Sequence, residues 1–365
     1  MRQHVKRLTV IALVSFSLLA LVLVVLFTAR ERRGPDELVL EISPSTPAAI
    51  ADIFRAVWSQ SVDQEEAGFR LVSAADDSVD RGERGGLSFG TAAAPYATTR
   101  LLANDPFLLF LDDRTGNHPF TQTGASLTET SRWLRSLDRD RWIPLLVAGE
   151  EALDFAAFTL YMAGETLPPA AFSELVQDLG EDLAAVDTET VTEAELETLL
   201  AAFAPVVERL RSWVAEGILP FNWTNWDYIA VSQAQDNGRA ALSFQRRSLY
   251  KERSWQNRIH FQPILPPVAP DRRSYRLFGQ GLALQSRGRD QTEHLERLQA
   301  AVLTDPIQQE IETETGWTPV ALAGTPVNRE HVEVLRWFRN AEEYIVVDRA
   351  LAAHPLFTRL HQLLR

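Results

Sequence analysis

The chain contains no cysteine, which excludes disulfides, thiolate metal sites and a lipid-modified cysteine behind a leader. Lysine is nearly missing as well: Lys6 and Lys251 are the only two, so arginine carries almost all the positive charge. Cations are outnumbered, with 36 Lys and Arg against 49 Asp and Glu and a formal net charge of −13. The first 33 residues contribute +5, leaving −18 on residues 34–365. Such a balance argues against nucleic acid as a partner, because phosphates must be neutralised by Lys and Arg. It also argues against broad contact with anionic lipid.

Catalytic signatures are scarce too. No H-E-x-x-H, phosphate loop or dinucleotide fingerprint occurs, and the seven His are scattered without metal-ligand spacing. No metal, no cofactor and no enzyme activity are therefore expected. Gly86-Leu87-Ser88-Phe89-Gly90 fits the G-x-S-x-G elbow of serine hydrolases, which needs an apolar strand running into it. Val79–Gly85 is instead polar and glycine-rich, and no oxyanion loop lies upstream. A serine hydrolase is set aside on those grounds.

One long apolar run is present. Leu8–Phe27 is a stretch of twenty uncharged residues, long enough as a helix to cross the roughly 30 Å core of a bilayer. A cleaved signal has a shorter apolar centre, roughly 7–15 residues, and small residues before the cut. The end of this run, Leu26-Phe27-Thr28-Ala29-Arg30, offers no such pair. Residues 1–33 thus read as an uncleaved N-terminal anchor with a single transmembrane helix. Arg2, Lys6 and Arg7 before the run and Arg30, Arg32 and Arg33 after it nearly tie, so flanking charge leaves orientation open.

Behind the anchor, about 330 residues exceed the size at which one core usually suffices, so two lobes are expected. No internal repeat is present. Leu38–Ile42 reads as a strand, Pro47 as the first position of a helix capped by Thr46, and Phe69–Ser73 as a second strand. Strand, helix, strand opens a parallel α/β sheet. Phe107–Leu111 and Ile143–Val147 are solid apolar strands, the latter followed by a helix through Phe155, Phe158 and Tyr161. Ser126 with Glu129 and Thr192 with Glu195 form capping boxes. The helix after Thr192 ends at Gly217 and should kink at Pro205. Ala240–Phe244 and Ile259–Ile264 read as strands, the second entering a stiff Pro263–Pro270 segment suited to crossing between lobes. Asp305 caps a short helix that stops before Gly316; helix Asn328–Asn340, strand Tyr344–Val347 and helix Leu351–Leu364 complete the chain.

The C-terminal half has a recognisable order. A helix ends near Gly217, then come aromatic-rich Asn222–Tyr228, Gly238-Arg239-Ala240-Ala241-Leu242, the proline-rich strand, Gly279-x-Gly281, a helix from Gln291, Asp305–Glu310 with Gln308 or Gln309, and Gly316-Trp317-Thr318-Pro319-Val320. This succession resembles the extracellular solute-binding proteins of ATP-binding-cassette (ABC) importers, in the family that captures sugars and oligosaccharides. That family carries a G-x-A-A-M turn and strand and a G-x-x-P-V loop; Leu242 stands in place of its methionine. Its T-W-x-E helix start is represented only by Leu127-Thr128-Glu129-Thr130.

The resemblance implies an α/β, two-lobed periplasmic-binding-protein fold of type II behind the anchor. Residues 36–110 plus 266–315 would form lobe 1, and residues 111–265 plus 316–365 lobe 2. It implies a non-enzymatic protein on the periplasmic or extracellular side of the cell (inner) membrane. There it would capture a small polar ligand, a sugar in the first instance, for ABC permease subunits. The alternative is the same fold with a decayed cleft, acting as a scaffold or sensor.

Ligand contacts are expected from Ser43, Ser45 and Thr46 in the loop after the first strand, although the same hydroxyls can simply cap a helix. Trp223, Trp226 and Asp227, flanked by Asn222 and Tyr228, combine flat rings with groups that bind sugar hydroxyls. Phe244 and Trp317 are further candidates. For each aromatic the competing role is to fill a core. Arg246, Arg247, Lys251, Arg253 and Arg258 form a basic patch, read either as a solvated helix face or as a receptor for an anion or the permease.

Overall fold

The computed structural model describes residues 38–42, 47–61, 69–73, 101–120, 125–185, 191–264, 276–283, 285–286, 292–319, 333–334, 336–337, 341 and 343–365 of the 365-residue chain. The anchor run Leu8–Phe27, the site candidates Ser43, Ser45 and Thr46, and the Gly86–Gly90 motif lie outside them. No helix among the described residues is long and apolar enough to cross a membrane.

Strand β1 (Leu38–Ile42) pairs in parallel with β2 (Phe69–Ser73), with α1 (Ala48–Ser61) between them in sequence. The 3.6-residue spacing of Ile50, Ile53, Phe54, Val57 and Trp58 gives α1 one face, and all five are buried. Strand β3 runs from Leu101 to Asp112, twelve residues where five were expected. Asn104, Asp105 and Pro106 hide its first half in the sequence because they are poor strand formers. The ladder nevertheless pairs Asn104 with Gly281, Asp105 with Gln280 and Pro106 with Gly279.

The capping boxes stand as read. Ser126 and Glu129 open α2 (Leu127–Ser136), which leads to β4 (Ile143–Val147), α3 (Ala152–Thr166) and α4 (Pro169–Ala185). Thr192 and Glu195 open α5 (Glu193–Ala215), which runs through Pro205 as one helix, held by buried Phe203 and Val206 on either side of the proline. A 3₁₀ turn (Trp223–Asn225) and α6 (Tyr228–Asp236) precede β5 (Ala240–Arg246), α7 (Arg247–Glu252), α8 (Trp255–Arg258) and β6 (Phe261–Ile264). Then follow β7 (Arg276–Ala283), β8 (Gln285–Ser286), α9 (Thr292–Val302), α10 (Asp305–Thr315), β9 (Thr318–Pro319), β10 (Glu343–Val346), α11 (Arg349–Ala352) and α12 (Pro355–Leu364).

Helix boundaries near the C-terminus also differ from the sequence reading. The N-cap of α10 is Thr304, so Asp305 is already helical. The final helix is broken in two at Pro355, where the missing N–H would interrupt the ladder; His354 Nδ1 instead accepts the Leu356 N–H at 3.2 Å and starts α12.

The strands form a small sheet, β2-β1-β8, and a larger one, β10-β7-β3-β5-β4, with β6 and β9 also on β3. The larger sheet is mixed, not parallel throughout: β4 with β5 and β10 with β7 are parallel, while β3 is antiparallel to its partners. Alternation along β3 sends Phe107, Leu109 and Leu111 into one core with α3, α4, α5 and α12, and Leu108 and Phe110 into another with Leu146, Tyr250, Phe261 and Tyr344. A third core joins α1, α9 and α10 to Ala103 and Trp317. β3 therefore runs from the small core into the two larger ones.

Candidate functional site

The C-terminal ends of the parallel strands β4 and β5 open toward the start of α3. The connecting loop is tight. A Cβ on Gly149 would lie 2.5 Å from the Trp223 carbonyl oxygen and 2.7 Å from its ring, so only glycine lets this loop lie against residues 223–224. Glu150 N–H donates to the Trp226 carbonyl at 3.1 Å, fixing the turn that carries Trp226 beside the first turn of α3.

Five strands and helices then bring polar side chains to one place. On β3, Phe107 is cross-strand partner to both Arg246 and Phe278, and Asp105 is partner to Gln280. Two-residue alternation puts Asp105, Arg246 and Gln280 on the same face, just beyond the apolar ring formed by Phe107, Phe244 and Phe278. Arg246 Nη1 donates to Gln280 Oε1 at 3.3 Å, and its Nη2 donates to the Tyr228 hydroxyl oxygen at 2.5 Å. The guanidinium also lies 5.2 Å from the Tyr228 ring centroid. The Tyr228 hydroxyl in turn donates to Asp154 Oδ2 in the first turn of α3. Asp105 accepts from Ser248 N–H at 2.8 Å and from Ser248 Oγ at 2.5 Å.

Burial sets the electrostatics. Asp154 is wholly buried, and loss of water pushes its carboxyl up to about 7 against the pull of Arg246 and the Tyr228 hydrogen bond. Desolvation also raises Asp105, outweighing Arg246 and the Ser248 bonds, and it raises Tyr228. Three buried polar atoms of this cluster have no hydrogen-bond partner among the described residues: Asp154 Oδ1, Gln280 Nε2 and Arg246 Nε, the last lying 3.8 Å from Asp154 Oδ2 as an ion pair. A buried acceptor and a buried donor left without hydrogen bonds are costly unless a group that both donates and accepts fills the gap.

The structure places the aromatic candidates differently from one another. Trp223 is fully buried, stacked on Phe155 at 5.6 Å and edge-on to Phe158. Phe244 is buried against Phe107, Phe158 and Tyr161. Trp317 is buried in the small core with Ile50, Phe54 and Ile311. These three rings fill cores, and their neighbours are side chains of the chain itself. Trp226 remains half-buried, its Nε1 donating to Asn222 Oδ1 at 3.1 Å. Asp227 caps α6 by accepting from Ala230 N–H at 2.7 Å. Trp226 and Asp227 thus border the Tyr228 cluster, and Trp223, Phe244 and Trp317 do not face it from a surface.

Tyr228 and Arg246 belong to the aromatic segment and the basic patch read from the sequence, whereas Asp105, Asp154 and Gln280 are not singled out there. Two signals were available: Arg246 and Arg247 come just after Ala240–Gln245, and Asp154 interrupts an otherwise apolar helix start. The basic patch is not a solvated face throughout. Arg247 is fully buried, and Arg253 is engaged with Asp236. No group of metal-ligating side chains occurs among the described residues.

No protein-family model matches the chain, and no curated protein sequence matches it. Solved structures do. The bacterial solute receptor AcbH, which prefers β-D-galactopyranose, superposes with a TM-score of 0.62 at 10% identity, covering 91% of this chain and 97% of that one. A binding protein of Bacillus subtilis, MsmE, in an open conformation gives 0.59 at 13% identity, with 90% and 92% covered. A sugar transporter protein of Bacillus licheniformis in complex with stachyose gives 0.55 at 11% identity, with 90% and 94% covered. At such low identity the likeness speaks for architecture: this chain has the α/β fold of the sugar-binding solute receptors, of the type II periplasmic-binding-protein kind.

Proposed function

We propose that the chain is a non-enzymatic solute-binding protein, tethered at the outer face of the cell membrane by Leu8–Phe27, which captures a carbohydrate for an ABC importer. The observation that carries this reading is the Asp154–Tyr228–Arg246–Gln280 cluster, with its unpartnered buried atoms, at the C-terminal ends of β4 and β5. Ligands of open α/β sheets bind at such strand ends. A sugar hydroxyl both donates and accepts, as Asp154 Oδ1 and Gln280 Nε2 together require. Trp226 supplies the adjacent ring, with Asp227 beside it, and Ser43, Ser45 and Thr46 would approach from the loop after β1. Residues 36–110 with 266–315 and residues 111–265 with 316–365 would be the two lobes, closing by hinge motion. Solved neighbours include a receptor that prefers galactopyranose and a sugar transporter in complex with stachyose, which makes a sugar the first ligand class to try.

The test is a thermal-melt screen of the full chain in detergent against a panel of mono- and oligosaccharides. A ligand that binds only the native state stabilises it by roughly 2.7 kcal/mol at a hundredfold excess over Kd. A matching sugar is expected to raise the melting temperature of the parent, and Trp226→Ala is expected to abolish the shift. A panel without any shift would remove the capture reading.

Trp223, Phe244 and Trp317 favour a second reading, because aromatic side chains committed to cores cannot stack on a sugar. On that reading the fold is a scaffold or sensor with a decayed cleft, and its partner interaction survives Trp226→Ala.

A further inference from the structure

Arg246 and Arg247 are adjacent, yet they serve different bodies. Arg246 enters the Asp154–Tyr228 cluster, while Arg247 starts α7 and leaves the larger sheet for the small core. Arg247 is fully buried. Its Nη1 donates to the Gly316 carbonyl at 3.0 Å and to Thr318 Oγ1 at 3.2 Å, and its Nη2 to Glu312 Oε1 at 2.7 Å. Lys251, one turn further along α7, brings its Nζ to 3.9 Å from the same carboxylate oxygen.

The two helices so joined belong to separate cores. Tyr250 of α7 stacks on Phe110 at 4.3 Å and donates to the Phe261 carbonyl, within the core of the larger sheet. Ile311 of α10 packs with α1 and Trp317 in the small core. Among the described residues strands also join these cores: Ala103 of β3 lies in the small core, and β9, next to Trp317, pairs with β3. A strand crossing can flex at its dihedrals. A guanidinium with three fixed acceptors cannot move without leaving a buried charge unpaired.

Backbone geometry supports the same contact. Gly316 ends α10 at φ +70°, and a Cβ there would meet Ser248 Cα at 3.1 Å and Lys251 Cβ at 3.2 Å. Glycine therefore lets α7 sit directly on the end of α10. Asp105, on the crossing strand β3, clamps the start of α7 through both its oxygens on Ser248.

We infer that Arg247, held by Glu312 and by the carbonyl of Gly316 at the end of α10, is a latch between the core of the larger sheet and the small core that sets their resting angle. Because Arg246 and Arg247 are joined by one peptide, a ligand that pulls on Arg246 also loads this latch. The inference rests on the two-lobed reading but not on the identity of any ligand.

The lack of native cysteine makes the test direct. Exposed Ser59 on α1 and Ser173 on α4 are changed to Cys in the full chain, and the spin–spin distance distribution is measured without ligand. The parent pair is expected to give one narrow population. Glu312→Gln and Arg247→Gln are expected to broaden it or add a second population beyond the parent's width. Glu216→Gln, which breaks the surface pair with Arg135, is the control and should change nothing. If Arg247→Gln fails to fold, Glu312→Gln, which removes the charge partner of Arg247 and Lys251 at nearly constant shape, still decides. A parent-like distribution in a folded Glu312→Gln variant overturns the latch. This outcome is independent of the sugar screen, so loss of one reading does not mimic loss of the other.

Discussion

Asp154 shows how a single carboxyl links the candidate site to the stability of the whole. Its ordinary value in an unfolded chain is near 4, and burial lifts it to about 7 in the fold. The folded state then binds the proton more tightly than the unfolded one. No penalty applies below about pH 4; it grows as pH rises and is complete above about pH 7, reaching at most roughly 4 kcal/mol. Asp105, raised in the same direction by burial, adds to the slope. The expected outcome is a melting temperature that falls between about pH 4 and pH 7, with Asp154→Asn flattening that fall. Asn keeps an acceptor for the Tyr228 hydroxyl, so the variant should fold as the parent does. Melting curves at half-unit pH steps check this, and an unaltered slope in the variant would shift the origin to other groups.

Secondary-structure elements behaved more predictably than sites, for a physical reason. Capping boxes are local: Ser126 with Glu129 and Thr192 with Glu195 are three residues apart, and each pair satisfies its own backbone donors. The buried stripe of α1 and the terminator at Gly217 are equally local, and they stand as read. Thr192→Ala is accordingly expected to cost about 1 kcal/mol, read as a lower denaturation midpoint with unchanged denaturant slope. What lay outside a local reading were interactions across long stretches of chain. Asn104, Asp105 and Pro106 look like the end of a strand until Gln280 and Gly279 are placed opposite them. Arg246 looks solvated until Tyr228 and Gln280 close around it. Trp223 looked like a sugar platform because aromatic spacing cannot tell a ligand's face from the faces of Phe155 and Phe158. Individual elements were legible from periodicity and caps and the architecture from the family resemblance, whereas the candidate site required positions between 105 and 280 to be assembled.

At the scale of the molecule, the largest core is closed by the C-terminal helix α12. Leu356, Phe357 and Leu360 of α12 are all buried. Phe357 meets Phe203 of α5 edge-on at 6.5 Å, and the His361 ring meets Phe155 edge-on at 4.9 Å. His361 Nε2 also lies 3.1 Å from the Thr224 carbonyl, so α12 braces the same turn that carries Trp226. Uncovering three large apolar side chains forfeits roughly 1.5–3 kcal/mol each, a sum comparable to the 5–15 kcal/mol that typically holds a folded domain together. Removal of Pro355–Arg365 is therefore expected to abolish cooperative melting and soluble yield. The single change Leu360→Ala should instead cost roughly 2–5 kcal/mol and leave a folded, less stable protein. A truncated chain that still melts cooperatively near the parent temperature would mean that α12 merely rests on α5 and α3, and that the core is sealed without it.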